Sequence, residues 1–265
     1  MHRSVFKLLV CWLLGLAMGA ASGQTNPSPA VAAKRVAVVV TNHADYPSRS
    51  DKTGLWLTEL THVYTPLKKA GYDIDIVSPA GGPVPLDERS LGWLYLDQEA
   101  RAYLKSPDFM AALNASQPVA SADPSRYAAI YFAGGHGAMW DFRGNAPLKR
   151  LAESIYAQGG IVSSVCHGAA ALVDLQSNDG SPLIKGKRIT GFSNTEETLS
   201  GLDGEVPFSL QDSLEARGAR YAKSLIPFKS FVVTDGRIVT GQNPWSAKAV
   251  AEALLQALRG VEQRP

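Results

Sequence analysis

Cysteine is almost missing from this chain: among 265 residues there are only Cys11 and Cys166. A disulfide framework is therefore excluded, and the fold must rest on a hydrophobic core, which an apolar content of 45% can supply. Charge of one sign is also lacking. The 26 basic and 24 acidic residues leave a net charge of +2, with no basic stripe and no aromatic-basic interleaving, so nucleic acid is excluded as a partner. No internal repeat and no low-complexity tract is present. Metal-ligand spacing is missing too: His43, His62 and His136 are scattered and no cysteine partners them, so neither a metal nor another cofactor is expected. The apolar run Leu8–Met18 falls short of a membrane span.

What is there begins with a leader. Arg3 and Lys7 precede that apolar run, and Gly19–Gly23 supplies small residues after it. This order predicts a signal peptide over residues 1–23, cleaved near Ala21–Gly23, and a secreted or periplasmic product without stable membrane association. An uncleaved anchor is the alternative. Cys11 lacks the small preceding residues that lipid attachment would want. Residues 24–34, with Pro27 and Pro29, read as a linker. Cleavage would leave Cys166 as an unpaired thiol in an oxidising compartment, which calls for a chemical reason.

The stretch Gly159–Leu172 offers one. A β-branched run, Ile161–Val165, is followed by Cys166-His167-Gly168 and then by helix formers. A residue at such a strand-to-helix corner projects from the carboxyl edge of the sheet, as in a nucleophile elbow. The helix dipole there should favour thiolate over thiol. Cys166 is thus the candidate nucleophile, against the plainer reading of a buried structural cysteine.

The remaining pattern is α/β. Arg35–Thr41 reads as a central parallel strand, 54–70 as a helix closed by Gly71, and 72–78 as a second strand, together a βαβ unit. In that helix Glu59 falls on the apolar stripe of Leu55, Val63 and Leu67. It either snorkels to solvent or is buried with a raised pKa, pointing into the same crevice as Cys166. Residues 80–126 form a long insertion with short helices near 97–104 and 108–113, placed to cover a site; Trp93 and Tyr95 in it read as packing. A third strand, Tyr127–Phe132, runs into Ala133-Gly134-Gly135-His136-Gly137, a loop able to turn N–H groups toward an oxyanion. Then follow a helix at 145–158, the elbow, a short strand at 187–192, and a capped helix start at Ser193–Glu197. Glu196 and Glu197 there read by default as dipole partners. A hairpin around Asp235-Gly236 and an amphipathic terminal helix complete the chain.

With these motifs in hand, the sequence resembles the ThiJ/PfpI superfamily within the class I glutamine amidotransferase-like fold. More narrowly, it is similar to the branch of heat-shock-inducible chaperones and glutathione-independent glyoxalases (glyoxalase III). The matching stretches are Lys52-Thr53-Gly54 through Glu59, Gly134–Asp141, Val165–Gly168, Gly186 through Phe192 to Glu197, and Asp235 through Pro244. The resemblance implies a flavodoxin-like, doubly wound, mainly parallel sheet with helices on both faces over 35–265. It implies Cys166 as nucleophile, His167 as the adjacent histidine, and Glu197 as the acid completing that triad. Glu59 would hydrogen-bond the sulfur, and Gly135 and the His167 N–H would form the oxyanion site, with Gly134 and His136 beside them. Met139 and Trp140 are expected to wall a small apolar pocket. One departure is decisive: no histidine follows His167, and Asn243-Pro244-Trp245 stands where a glutamine amidotransferase has its His-x-Glu pair. That activity is excluded. The expected function is a glyoxalase III-type lyase (D-lactate dehydratase) acting on methylglyoxal or glyoxal without a cofactor. A deglycase or cysteine peptidase on the same residues, a holding chaperone and a thiol redox sensor are the alternatives, and a homodimer is compatible with the family.

Overall fold

The computed structural model describes residues 34–263. The signal peptide at 1–23, Cys11 and all but the last residue of the linker lie outside the described residues. The strands are β1 (Arg35–Val39), β2 (Asp73–Ser78), β3 (Gln117–Pro118), β4 (Ala129–Phe132), β5 (Ile161–Val165), β6 (Arg188–Ile189), β7 (Arg220–Tyr221), β8 (Val232–Asp235) and β9 (Ile238–Gly241). The α-helices are α1 (Leu57–Lys69), α2 (Gln98–Leu104), α3 (Pro107–Asn114), α4 (Ala138–Asp141), α5 (Ala146–Ala157), α6 (Asn194–Leu199), α7 (Leu210–Ala216) and α8 (Ala247–Glu262).

Seven strands form one sheet in the order β3-β2-β1-β4-β5-β9-β8, parallel except for the β8–β9 hairpin. β4 and β5 are buried along their whole length, as apolar runs covered on both faces must be. Helix α8 packs on β5 and β9 and meets α1, while α5 packs on β4 and β5. The chain leaves β1 first toward β2 and later returns on its other side through β4. Beyond the carboxyl ends of strands at such a reversal a crevice opens, where open α/β sheets bind ligands. Cys166, Gly134–His136 and α1 all follow strands at that edge.

Several elements differ from the sequence expectation for identifiable reasons. Helix α1 begins at Leu57, three residues late. Gly54 sits at φ 149, and the N–H groups of Leu55 and Trp56 are drawn to the carbonyls of Pro85 and Gly134 instead of entering a helix. The segment after the nucleophile, Cys166–Asp174, is wound as a 3-10 helix rather than an α-helix. The strand expected at 187–192 shrinks to β6, which leaves the main sheet and pairs with β7. In the hairpin, Asp235 pairs with Ile238, so the turn falls on Gly236-Arg237, one residue later than read. The insertion places β3 on the sheet edge and carries a 3-10 turn, Glu88–Leu91, capped by the Asp87 side chain.

Candidate active site

Cys166 lies at the end of β5 with φ 54, a left-handed value that a non-glycine residue rarely adopts. The turn is possible because Gly168 comes so close to the Phe132 carbonyl that any Cβ there would overlap it. Cys166 is 2% exposed and its Sγ lies 3.2 Å from His167 Nδ1. On the far side of that ring, His167 Nε2 is 2.7 Å from Glu197 Oε2. Glu197 is delivered by α6, whose start is fixed by a reciprocal capping box between Ser193 and Glu196.

His136 joins the same carboxylate. Its Nε2 lies 2.7 Å from Glu197 Oε1, its ring stands 3.9 Å from that of His167, and Arg89 Nη2 lies 2.9 Å from its Nδ1. One proton assignment satisfies all four contacts. A guanidinium can only donate, so His136 Nδ1 accepts and its Nε2–H donates to Glu197. His167 Nε2–H donates to the other oxygen, which leaves its Nδ1 lone pair facing the sulfur. Arg89 is itself held by paired contacts to Asp87 at 3.0 and 2.6 Å and by the Tyr46 hydroxyl at 2.6 Å.

The ionisation states follow from these partners. Burial works against charge on Glu197, but the His167 imidazole and the hydrogen bonds from both histidines outweigh it and hold the carboxyl well below its usual range. Burial pushes His136 down to about 4, helped by the neighbouring His167 and Arg89 against the pull of Glu197. Glu59, fully buried on α1, is pushed up by burial to about 8, opposed by its contact with the Cys166 side chain and by the Gly134 N–H. The Gly134 N–H donates to Glu59 Oε2 at 2.7 Å, while Oε1 has no hydrogen-bond partner among the described residues; the carboxyl group as a whole faces the Cys166 side chain. Glu59 thus does not snorkel.

The thiolate expected from the helix dipole needs correction. Burial pushes the Cys166 thiol well above its ordinary value, and the Glu59 carboxyl adds to the rise, against only a hydrogen bond from the His167 N–H. Two buried acids in contact share one negative charge at most. Near neutral pH both groups therefore keep their protons at rest, and the His167 lone pair is the group placed to take the one on sulfur.

The two glycines before His136 are sterically required. A Cβ on Gly134 would lie 2.7 Å from Glu59 Oε2 and 2.9 Å from the His167 nitrogen, and one on Gly135, at φ 100, would overlap the Gly54 carbonyl. The Gly135 N–H donates to no acceptor among the described residues, which leaves it free for a ligand oxygen.

These groups open into a pocket of about 400 Å³ lined in part by Trp56, Arg89, His136, Cys166, Phe228 and Trp245. Met139 and Trp140 do not line it: Met139 is 1% exposed in the core, and Trp140 stacks on His43 at 4.7 Å. They sit on α4, which packs on the segment Cys166–Asp174 without entering the pocket. Tyr95 of the insertion does line the pocket, whereas Trp93, expected to pack, is 84% exposed. Sequence reasoning missed Arg89 and Trp56 altogether. Trp245 was visible only as the residue standing where a glutamine amidotransferase has its His-x-Glu pair.

His136, His167 and Glu197 also bring three ligand atoms within 4.8 Å of one another. Their 2.7 Å nitrogen–oxygen separations are those of shared protons. Two ligands at about 2.0–2.1 Å from a tetrahedral ion would stand roughly 3.3 Å apart. The cluster is built as a hydrogen-bond network. Among the described residues no helix is long and apolar enough to cross a membrane.

Similarity to known proteins agrees with this geometry. The chain is 33% identical to a glutathione-independent glyoxalase of Saccharomyces cerevisiae, over 86% of this chain and all of that protein. It is 34% identical to glyoxalase 3 of Candida albicans, over 79% of this chain and 92% of that one. Among solved structures, glyoxalase III from Candida albicans superposes with a TM-score of 0.79 at 33% identity, covering 84% and 96% of the two chains. The 24 kDa rapid encystment protein of Francisella tularensis superposes with a TM-score of 0.81 at 41% identity, covering 85% and 99%. The DJ-1/PfpI family profile matches residues 53–257, and the chain belongs to the DJ-1/PfpI family.

Proposed function

We propose that this protein is a glutathione-independent glyoxalase of the glyoxalase III type, converting methylglyoxal or glyoxal and water to a hydroxy acid. The observation that carries this reading is a single connected array: sulfur, imidazole lone pair and charged carboxylate in line, with a second carboxyl group on the sulfur. The named glyoxalases among its relatives support the same substrate class.

His167 Nδ1 takes the thiol proton as Cys166 Sγ adds to the aldehyde carbon, forming a hemithioacetal. Near neutral pH Glu59, with a pKa of about 8, still carries its proton and can donate it as a hydrogen bond to the developing sulfur anion. The hemithioacetal oxygen is received by the Gly135 and His167 N–H groups. His167 gives the thiol proton to that oxygen and, neutral again, moves the hydrogen from the aldehyde carbon to the ketone carbon through an enediolate, while the hydroxyl proton passes to the former ketone oxygen and a thioester is left. Water cleaves it to the hydroxy acid and regenerates the thiol. No oxidant enters, because the two carbons exchange oxidation state. Glu197 keeps His167 in the tautomer that bares Nδ1 and stabilises its cation.

Purified protein incubated with methylglyoxal in the absence of glutathione should form lactate, and Cys166→Ser should reduce this at least about 10³-fold. Lactate formation equal in the two proteins sinks the reading. The leader at 1–23 supports export, secreted or periplasmic, and the amino-terminal sequence of the protein isolated from its producing cell tests it.

A further inference from the structure

The pocket is far larger than the substrate just named. Its 400 Å³ belongs to the range of sites that enclose drug-sized ligands, whereas methylglyoxal presents only a methyl group beyond its two carbonyls. The surplus volume is aromatic. Rings run edge to face around it from Trp56 to Tyr95 (4.9 Å), Tyr95 to Trp245 (5.5 Å) and Trp245 to Phe228 (5.6 Å). Phe228 then leads to Phe192 at 6.2 Å, which rests 4.5 Å from the His167 ring. A continuous aromatic wall thus starts at the catalytic imidazole and ends at Trp245, which is 44% exposed at the mouth.

The wall is held by a dedicated device. Phe228 has φ 61, a left-handed conformation that a bulky side chain avoids, and persists there only because its surroundings impose it. The constraint is Glu196, fully buried beside the catalytic Glu197. Its Oε1 accepts the Phe228 N–H at 2.8 Å and the Asn243 side-chain amide at 2.8 Å. Asn243 also donates to the Lys229 carbonyl at 2.9 Å, and Pro244 and Trp245 follow it directly. Ser193 takes up the other oxygen, so Glu196 has no capacity left for chemistry. Of two adjacent glutamates, one serves the imidazole and the other fixes the ring that faces the substrate's far end.

We propose that the pocket is built for 2-oxoaldehydes bearing a bulky apolar, aryl-type substituent on the ketone carbon, with Phe228 and Trp245 as the wall that selects them. The proposal rests on the glyoxalase reading and leaves its chemistry unchanged: the hydrogen still moves between the two carbons, water supplies the acid oxygen, and phenylglyoxal gives mandelate.

The test compares phenylglyoxal with methylglyoxal in initial-rate assays, and mandelate with lactate in calorimetric titration of the same protein. The kcat/KM ratio should favour phenylglyoxal by about tenfold or more, and mandelate should bind tighter than lactate by a similar factor. Trp245→Ala, at a partly exposed position, and Phe228→Leu should each pull both ratios toward one. A wild-type ratio at or below one, or variants that leave the ratios unmoved, overturns the proposal. Should neither aldehyde turn over while mandelate is still preferred and Trp245→Ala abolishes the preference, the glyoxalase reading fails and the pocket assignment stands. Absence of both turnover and preference overturns the two together.

Discussion

Two buried glutamates flank the reacting pair, Glu59 on the sulfur side and Glu197 on the imidazole side, at 0% and 7% exposure. Burial works on both in the same direction, yet they end in opposite states. Glu59 is raised to about 8, whereas Glu197 is held well below the usual carboxylate range. The difference is the number and kind of donors. Glu59 receives one backbone N–H and faces a group that is itself an acid. Glu197 receives two imidazole N–H groups, one on each oxygen. The site thereby keeps a proton where the sulfur anion will form and a charge where the imidazolium will form, from one residue type.

Neutralising the charged side should cost most. In Glu197→Gln one oxygen becomes an amide that cannot accept a ring N–H, so His167 or His136 must turn or change tautomer. We expect kcat to fall about 10³–10⁴-fold, the scale seen when the orienting acid of a catalytic triad is made neutral. A loss below tenfold in a normally folded variant would falsify the assignment of Glu197 as the group that sets the imidazole.

Neutralising the protonated side should cost less and show in pH dependence. As pH rises through about 8, Glu59 ionises and sets a second negative charge against the sulfur, so kcat/KM should fall on that limb. Glu59→Gln should remove the limb. Stability supplies an independent measure. A carboxyl raised from 4.5 to about 8 on folding holds a proton that the unfolded chain has lost. Its stability is fully present below pH 4.5 and is lost as pH climbs to about 8, by about 5 kcal/mol in order of magnitude. The stability difference between Glu59→Gln and wild type, from denaturant titrations, should grow in favour of the variant across that window. A flat difference contradicts a buried, proton-bearing Glu59.

Only part of this contrast could be read before the fold was known. The apolar stripe around Glu59 left burial as one of two readings, and burial alone predicts the direction of its shift. For Glu197 the residue pattern offered only a helix-start dipole partner and the family resemblance alone supplied its role as triad acid, because its two imidazoles come from segments 30 and 61 residues away. The strands, the elbow and the glycine loop were legible because each is a local pattern of side-chain period or backbone freedom. The lining of the pocket was not: α4 buries Met139 in the core and sets the half-buried Trp140 against His43, while Trp56, Arg89, Tyr95 and Trp245 converge from three separate segments. The state of the thiol was misjudged for a related reason. A helix dipole can be inferred from a strand-to-helix corner, but the desolvation that overrides it depends on everything packed around the sulfur.

The subtlest way to probe the charged side is from one residue further out. Arg89 does not touch Glu197; it caps His136 Nδ1 and so obliges His136 to present its proton to the carboxylate. Removing only Arg89 would strand Asp87, which is fully buried, so the clean variant is the pair Asp87→Asn with Arg89→Met. With the guanidinium gone, His136 is free to adopt the other tautomer, which sets a lone pair against Glu197 Oε1. The positive charge that helps hold its pKa near 4 is lost as well. The His136 ring resonances should then titrate at higher pH than in the wild type. The kcat should fall about 10- to 100-fold, less than for Glu197→Gln because His167 keeps its own bond to the carboxylate. A neutral structural turn around residue 89 would change stability alone. If the His136 titration stays where it is and kcat holds, the second imidazole is packing, and Glu197 owes its charge to His167.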